Sequence, residues 1–292
     1  LPLIHHHAGV EFDLVVSRNG GRLLLELEPS LGGPGPEALQ ALPLTPPRAP
    51  KDEPDLGEFY HTTAATVREA TGYDRVMVYR FLDDGSGQVV GESLAEGMES
   101  YLDLHFPASD IPRIARRLYL KTGHRHIPDV DAEPAPLAAA AADDPLDQTC
   151  GELRSVSPLH IQYLRNMGVA SSFSVAIEVR GELWGLIACH HRTPHRLSYE
   201  LRERCARYGR GISLALLAHT SSQRLRAVDH VEHLVEQLAE RIARRDDDLA
   251  EAIGAESEAV TGMVGAQGCA LAEEDTVRTF GATPSQFQVQ AR

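Results

Sequence analysis

Residues 157–168, SPLHIQYLRNMG, write both ends of a short helix into one stretch. Ser157 can cap free amides, and Pro158 suits the first helical position because it has no N–H to leave unpaired. Gly168 can take the left-handed conformation that closes a helix. His160, Tyr163, Leu164 and Met167 fall at i, i+3, i+4 and i+7 and share one stripe, with Gln162, Arg165 and Asn166 mostly opposite. A histidine and a tyrosine on the inward stripe of so short a helix point to a lined pocket. A single core histidine with its hydrogen bond satisfied is the blander reading of the same pattern. Residues 171–179 then alternate as a strand, with Phe173, Val175, Ile177 and Val179 on one face and Ser172, Ser174 and Ala176 on the other.

A second stretch, FPASDIP at 106–112, leads into RIARRLYL at 113–120. It reads as a capped helix start with Ile111, Ile114, Ala115 and Leu118 in helical phase. PASDIP, SPLHIQYLRNMG and LWGLIACHH at 183–191 together resemble the phytochromes, most closely the bacteriophytochromes, over about residues 12–268.

The chemistry of the chain is compatible with such a sensor. Its 42 acidic against 28 basic residues give a formal charge of −14, which argues against a nucleic-acid or anionic-membrane surface. Cys150, Cys189, Cys205 and Cys269 are scattered without C-x-x-C spacing, so neither a zinc knuckle nor a disulfide framework is indicated. Apolar runs such as 212–218 fall far short of the roughly 20 residues a bilayer span needs. No secretory signal pattern precedes Phe12, so a cytoplasmic location is expected. The chain opens on Leu1 and is expected to lack its natural beginning.

The fold expected is α+β: an antiparallel-sheet GAF domain flanked by helices, part of a PAS domain before it and a long helix after it. Residues 1–30 would be the C-terminal part of the PAS domain, with strands at 10–17 and 22–29 joined by the hairpin signal RNGG. His5, His6 and His7 would lie on a loop or strand edge, alternating faces and so unable to serve one metal site. Residues 31–55, rich in Pro and Gly, read as a linker. Residues 56–220 would be the GAF domain, opening with a helix at 56–71 and strands at 73–81 and 88–93. The low-complexity stretch 128–147 reads as a long loop, the place where the family threads its N-terminal segment into a knot. Residues 199–253 read as helical, the part from 221 onward connecting to the start of a PHY domain at 254–292, whose first core strand would be 264–268. Leu225, Val228, Val231, Leu234, Val235, Leu238 and Ile242 make a stripe that suits either a surface helix on its own domain or a homodimer interface around 200–253.

The resemblance implies a bilin pocket. The backbone carbonyl of Asp110 and, through a water, the ring of His160 would surround the pyrrole nitrogens, with Ile111 alongside. Arg125 and Arg154 would bind a propionate, since a guanidinium offers a carboxylate two parallel hydrogen bonds. Tyr119, Ser172 and Ser174 would add contacts on that side, with Ser157 nearby. Met77, Tyr79, Phe106, Tyr163 and His190 would line the ring that isomerises under red light, His190 donating to its carbonyl. In the family, the Asp110 side chain meets an arginine on a PHY-domain tongue. With that tongue missing, poor stabilisation of the light-activated state is expected.

Leu159 stands where plant and cyanobacterial relatives carry the attachment cysteine, which points to biliverdin IXα. Its thioether would form with a cysteine upstream of the PAS domain, and no such cysteine is in this chain. Cys189 should point away from the pocket, because neighbours on a strand face opposite ways. For Ser172 to sit across from His190, the numbers of paired residues must sum to an even value. That calls for an odd loop, most simply Arg180-Gly181-Glu182, whereas a two-residue turn would put His190 on the face of Phe173 instead.

The expected role is a non-enzymatic light sensor that signals to a downstream kinase or response regulator. No kinase core is recognisable. A GAF sensor of another small molecule is the alternative, although no glycine-rich phosphate loop favours a nucleotide. A metalloenzyme built on His160, His190 and His191 is disfavoured, because adjacent histidines cannot project together from one strand.

Overall fold

The computed structural model describes residues 3–7, 9–19, 21–43, 45, 47–136, 147–244, 249–273, 276–285 and 288. They form two compact units, Leu1–His219 and Thr220–Arg292. The first opens with a three-stranded antiparallel sheet of β1 (Leu3–His7), β2 (Val10–Asn19) and β3 (Arg22–Pro29), in that order, so the histidine run lies on an edge strand. Helices α1 (Pro36–Ala41) and α2 (Glu53–Thr71) follow, then β4 (Arg75–Phe81), β5 (Gly87–Leu94), β6 (His105–Phe106), α3 (Arg113–Thr122), β7 (His124–Ile127), α4 (Pro158–Asn166), β8 (Ser171–Val179), β9 (Glu182–His191) and α5 (Tyr199–Ala243). The boundary between the units falls within α5. The second unit also holds α6 (Leu249–Ala255), α7 (Ser257–Val264) and the hairpin of β10 (Gly268–Glu273) and β11 (Thr276–Gly281).

The main sheet runs β6-β5-β4-β9-β8-β7 with antiparallel neighbours throughout. One face forms the core. Val76 and Val78, Phe173, Val175 and Ile177, and Ile187 and Cys189 pack with Ala64 and Val67 of α2 and with Cys205 and Ile212 of α5. Phe173, Ile177 and Ile187 are fully buried, and each such side chain contributes about 1.5–3 kcal/mol. The ends of α2 are fixed locally: Asp52 accepts from the Asp55 N–H at 3.0 Å, and Gly72 closes the helix at φ +73°. The opposite face of the sheet is left for the site.

Ser172 pairs with His190 as expected, but the loop is not the three-residue one. Val179 pairs with Glu182, leaving Arg180 and Gly181 as a two-residue turn at φ +57° and +80°, the positive values a type I′ hairpin requires. The parity is restored by a β-bulge: Ile177 faces Gly185 while Glu178 faces Leu183, so Trp184 is the extra residue.

Other expectations change. The 31–55 stretch contains α1 and the start of α2, and Leu42 is completely buried in the core. Neither pocket-side helix start carries a side-chain cap: Pro112 has none to offer, and the Ser157 hydroxyl caps nothing while its carbonyl takes the Ile161 N–H at 3.0 Å. Ile114 is 67% exposed. Helix α3 starts only after Pro112, and its inward side follows Ala115, Leu118 and Tyr119. Residues 264–268 are not a strand: α7 runs to Val264, Gly265 closes it at φ +64°, and the strand begins at Gly268. The 199–253 helix is divided between α5, which stops at Ala243, and α6. Of the long loop at 128–147, positions 137–146 lie outside the described residues.

Candidate functional site

The second face of the main sheet, α3, α4 and the residues just before α3 line an open-mouthed cavity. Strand register sets its composition. Met77 lies beside Ala188 and Ala188 beside Ser174, while Tyr79 pairs with Leu186 and Ser172 with His190. Directly paired residues share a face, so the whole row looks into the cavity. Its far side is the predicted stripe of α4, from which His160, Tyr163, Leu164 and Met167 all reach the cavity. Asp110, Ile111 and Tyr119 complete the wall.

Polarity changes across the sheet. At the β4–β6 side the wall is aromatic. Tyr79 lies 6.0 Å from Phe106 and 5.3 Å from Phe81 between ring centroids, and Tyr101 packs on Phe106 at 6.0 Å. Gly87 makes room for this cluster, since a Cβ there would stand 1.9 Å from the Tyr79 ring. Burial raises the Tyr79 phenol to about 12, with nearby Asp110 adding to the effect. At the β7–β8 side the groups are hydroxyls and cations. Tyr119 and Ser174 hydroxyls meet at 2.6 Å, and Arg125 stands directly opposite Ser174 on β7.

Arg125 and Arg154 do not line the cavity itself. Arg125 donates to the carbonyls of Glu152, at 3.0 Å, and Arg154, and Arg154 donates to those of Thr149 and Gly151. Burial, followed by repulsion from Arg154, lowers Arg125 to about 10. Its charge reaches the wall, pushing His160 down after burial has done so. Ser157 is exposed and also off the lining.

Two polar groups at the centre, the imidazole of His190 and the phenol of Tyr163, are held neutral. Burial, then the charges of Arg75 and His160, keeps His190 at about 3, and its Nδ1 is buried with no hydrogen-bond partner among the described residues. Arg75, paired with His190 in the register, is turned aside onto the Tyr101 ring at 3.7 Å and the Glu99 carbonyl at 2.8 Å. The Tyr163 ring stacks on His160, centroids 6.0 Å apart and planes 17° off parallel. Burial, followed by the charge of the Asp110 carboxylate, raises the Tyr163 phenol.

The sequence reading did not single out Val89, Leu186 and Ala188 as cavity residues. The alternation through His190 identifies Leu186 and Ala188, as the helical stripe identifies Leu164 and Met167. Leu159 points into solvent, 84% exposed. None of the four cysteines lines the cavity; Cys189 faces the core, opposite Phe173. His191 and His195 stand 4.7 Å apart between rings, but no group of three candidate metal ligands exists among the described residues. No described helix is long and apolar enough to cross a membrane.

The GAF domain family matches residues 55–206. Cyanobacterial phytochrome B of Nostoc sp. is 35% identical over 290 residues, covering 98% of this chain and 38% of its own length. The bacteriophytochrome of Pseudomonas aeruginosa is 46% identical over 151 residues, 51% of this chain and 21% of its own. The chain thus spans well under half the length of these curated relatives. Among solved structures, the Stigmatella aurantiaca phytochrome photosensory core module matches with a TM-score of 0.82 at 34% identity, covering 99% of this chain and 59% of that one. The chromophore binding domain of a Stigmatella aurantiaca phytochrome matches with a TM-score of 0.64 at 39% identity, over 73% of this chain and 72% of that one.

Proposed function

This chain belongs to the phytochrome family, and from that membership we propose that it is a red/far-red photoreceptor module binding biliverdin IXα in the cavity. The observation that carries the reading is the polarity gradient across one sheet face. Aromatic walls stand at the β4–β6 side, the unpartnered Nδ1 of neutral His190 in the middle, and two arginines behind Tyr119 and Ser174 at the β7–β8 side. A long conjugated tetrapyrrole with carboxylates matches that gradient better than a compact ligand does.

When bound, the pigment supplies the chemistry, isomerisation of a double bond on absorbing red light. The chain's residues hold and read it. Arg125 and Arg154 take a propionate, with Tyr119, Ser172, Ser174 and Ser157 contributing around them. The Asp110 carbonyl and neutral His160 face the ring nitrogens beside Ile111. Met77, Tyr79, Phe106 and Tyr163 confine the ring that turns, and His190 hydrogen bonds to it. Tyr79, Tyr163 and His190 then exchange contacts, and His160 with Asp110 tunes the transfer of the signal.

The module is a sensor and not an enzyme. Residues 1–30 belong to a PAS domain, 31–55 to a linker, 56–220 to the GAF domain, 221–253 to a connecting helix and 254–292 to a PHY domain. Homodimerisation uses the helices around 200–253, where Leu225 is 64% and Val235 47% exposed, and output passes to a kinase or response regulator in the cytoplasm. The test is an absorbance spectrum of the chain mixed with biliverdin, before and after red light. A sharp far-red band that changes with light is expected. If no band forms, the cavity belongs to a GAF sensor of a different small molecule.

A further inference from the structure

Strand β3 is inverted relative to an ordinary half-buried strand. Its acids Glu26 and Glu28 are each 8% exposed, while Leu23, Leu25 and Leu27 are 64%, 62% and 49% exposed. Buried carboxylates need partners, and both have them. Glu28 pairs with Arg202, which is itself 1% exposed. Glu26 accepts two consecutive backbone N–H groups, from Glu152 at 3.0 Å and Leu153 at 2.7 Å. Gly151 lies against the same carboxylate, where an added Cβ would stand 3.4 Å from it.

The segment so held is the one that holds the arginines. The carbonyls of Glu152 and Arg154 receive Arg125, and those of Thr149 and Gly151 receive Arg154. Guanidiniums on long flexible stems bind a carboxylate well only when their orientation is fixed in advance. Here orientation comes from carbonyls, and the carbonyls' positions come from Glu26. Its negative charge also helps keep Arg125 protonated against burial and Arg154 repulsion. Glu26 does not line the cavity.

We infer that Glu26 is a positioning residue for an anion subsite: by fixing the backbone of residues 152–153 it aims Arg125 and Arg154 at a carboxylate of the ligand. The inference rests on the pigment reading above, because it takes that carboxylate to be a propionate.

The test compares biliverdin with its dimethyl ester, which keeps the conjugated rings and removes both charges. Each is titrated by absorbance into the 292-residue chain and into its Glu26→Gln variant, which keeps the shape but sets an NH₂ against an N–H. The variant should bind biliverdin about tenfold more weakly, the scale of one charge-assisted hydrogen bond, and bind the ester as the parent does. Equal loss for both ligands would mean only a structural role and overturn the inference, as would no loss for either. If the parent chain binds both but shows no preference for the diacid, the anion subsite and this inference fall together while the pigment cavity stands. If the parent binds neither, the pigment reading itself falls, and this inference with it. Should Glu26→Gln not fold, Glu26→Asp retains the charge and shortens its reach by one methylene, and the same selective loss is expected.

Discussion

Arg125 donates a hydrogen bond to the backbone carbonyl of Arg154, so two cationic residues are tied together by a contact that cancels neither charge. Of the carboxylates whose charge acts on Arg125, Glu152 is engaged by His124 at 3.1 Å and Glu26 by the backbone N–H groups of Glu152 and Leu153. A ligand carboxylate would relieve the repulsion. Arg154→Gln should therefore weaken biliverdin binding by about tenfold or more, the ~1.5–3 kcal/mol of a hydrogen bond to a charged group. The folded chain should lose little stability, because among the described residues the Arg154 side chain otherwise serves the Thr149 and Gly151 carbonyls. Pigment titration and thermal unfolding of the variant check both halves, and unchanged affinity would remove Arg154 from the site.

Acid should destabilise the protein through its buried neutral histidines. His190 is held at about 3 by burial, Arg75 and His160, and His126 at about 3 by burial, Arg202 and His124, against ordinary values near 6.5. Between about pH 6.5 and 3 the unfolded chain binds protons that the folded chain does not. Stability is thus full above about pH 6.5 and is lost as pH falls through that window, by up to ~1.4 kcal/mol per pH unit per group. Urea unfolding of His190→Asn from pH 4.5 to 7 should show a shallower slope than the parent, by up to one proton. An identical slope would mean that His190 is protonated when folded.

Side chains whose placement depends on local period were legible in the sequence. The α4 stripe and the serine face of β8 follow from spacings of 3.6 and 2, and both reach the cavity. The His190–Ser172 pairing was legible too, but its cause was not. Period-2 counting can detect a parity mismatch, and it cannot tell an extra loop residue from a bulge at Trp184. Ile114 was misread because helical phase was counted from Ile111, which precedes the helix. The setting of Arg125 and Arg154 was beyond sequence reasoning, since it depends on Glu26 meeting a backbone amide 126 residues away.

Gly87→Ala should disturb the aromatic end of the cavity. The added Cβ would sit 1.9 Å from Cζ of Tyr79 and 2.0 Å from its hydroxyl oxygen, so the ring must move from its place against Phe81 and Phe106. Overpacking of this kind costs about 1–3 kcal/mol. The urea midpoint should fall accordingly, and the pigment's long-wavelength band should shift or weaken because Tyr79 no longer confines the same space. A variant with both properties unchanged would show that the Tyr79 ring is not packed in place.

Pigment bound by these 292 residues should be released on acid denaturation. A thioether needs a thiol at the cavity, and none of the four cysteines lines it. Cys189 is the neighbour of His190 in sequence, yet the pleat turns it to the core opposite Phe173, fully buried. Burial, then Cys205, raises its thiol well above the ordinary range, so it is also a poor nucleophile. Cys205 is likewise raised by burial, to about 12. Cys150 is partly exposed and lies in the segment that holds Arg154, which makes it the thiol to check by peptide mapping. Separation of pigment from protein in acid, with Cys189→Ser spectrally identical to the parent, is the expected result. Pigment that stays on a peptide containing Cys150 would show instead that the 149–154 segment can turn its thiol to the ligand, and the arginine geometry derived from that segment would then have to be redrawn.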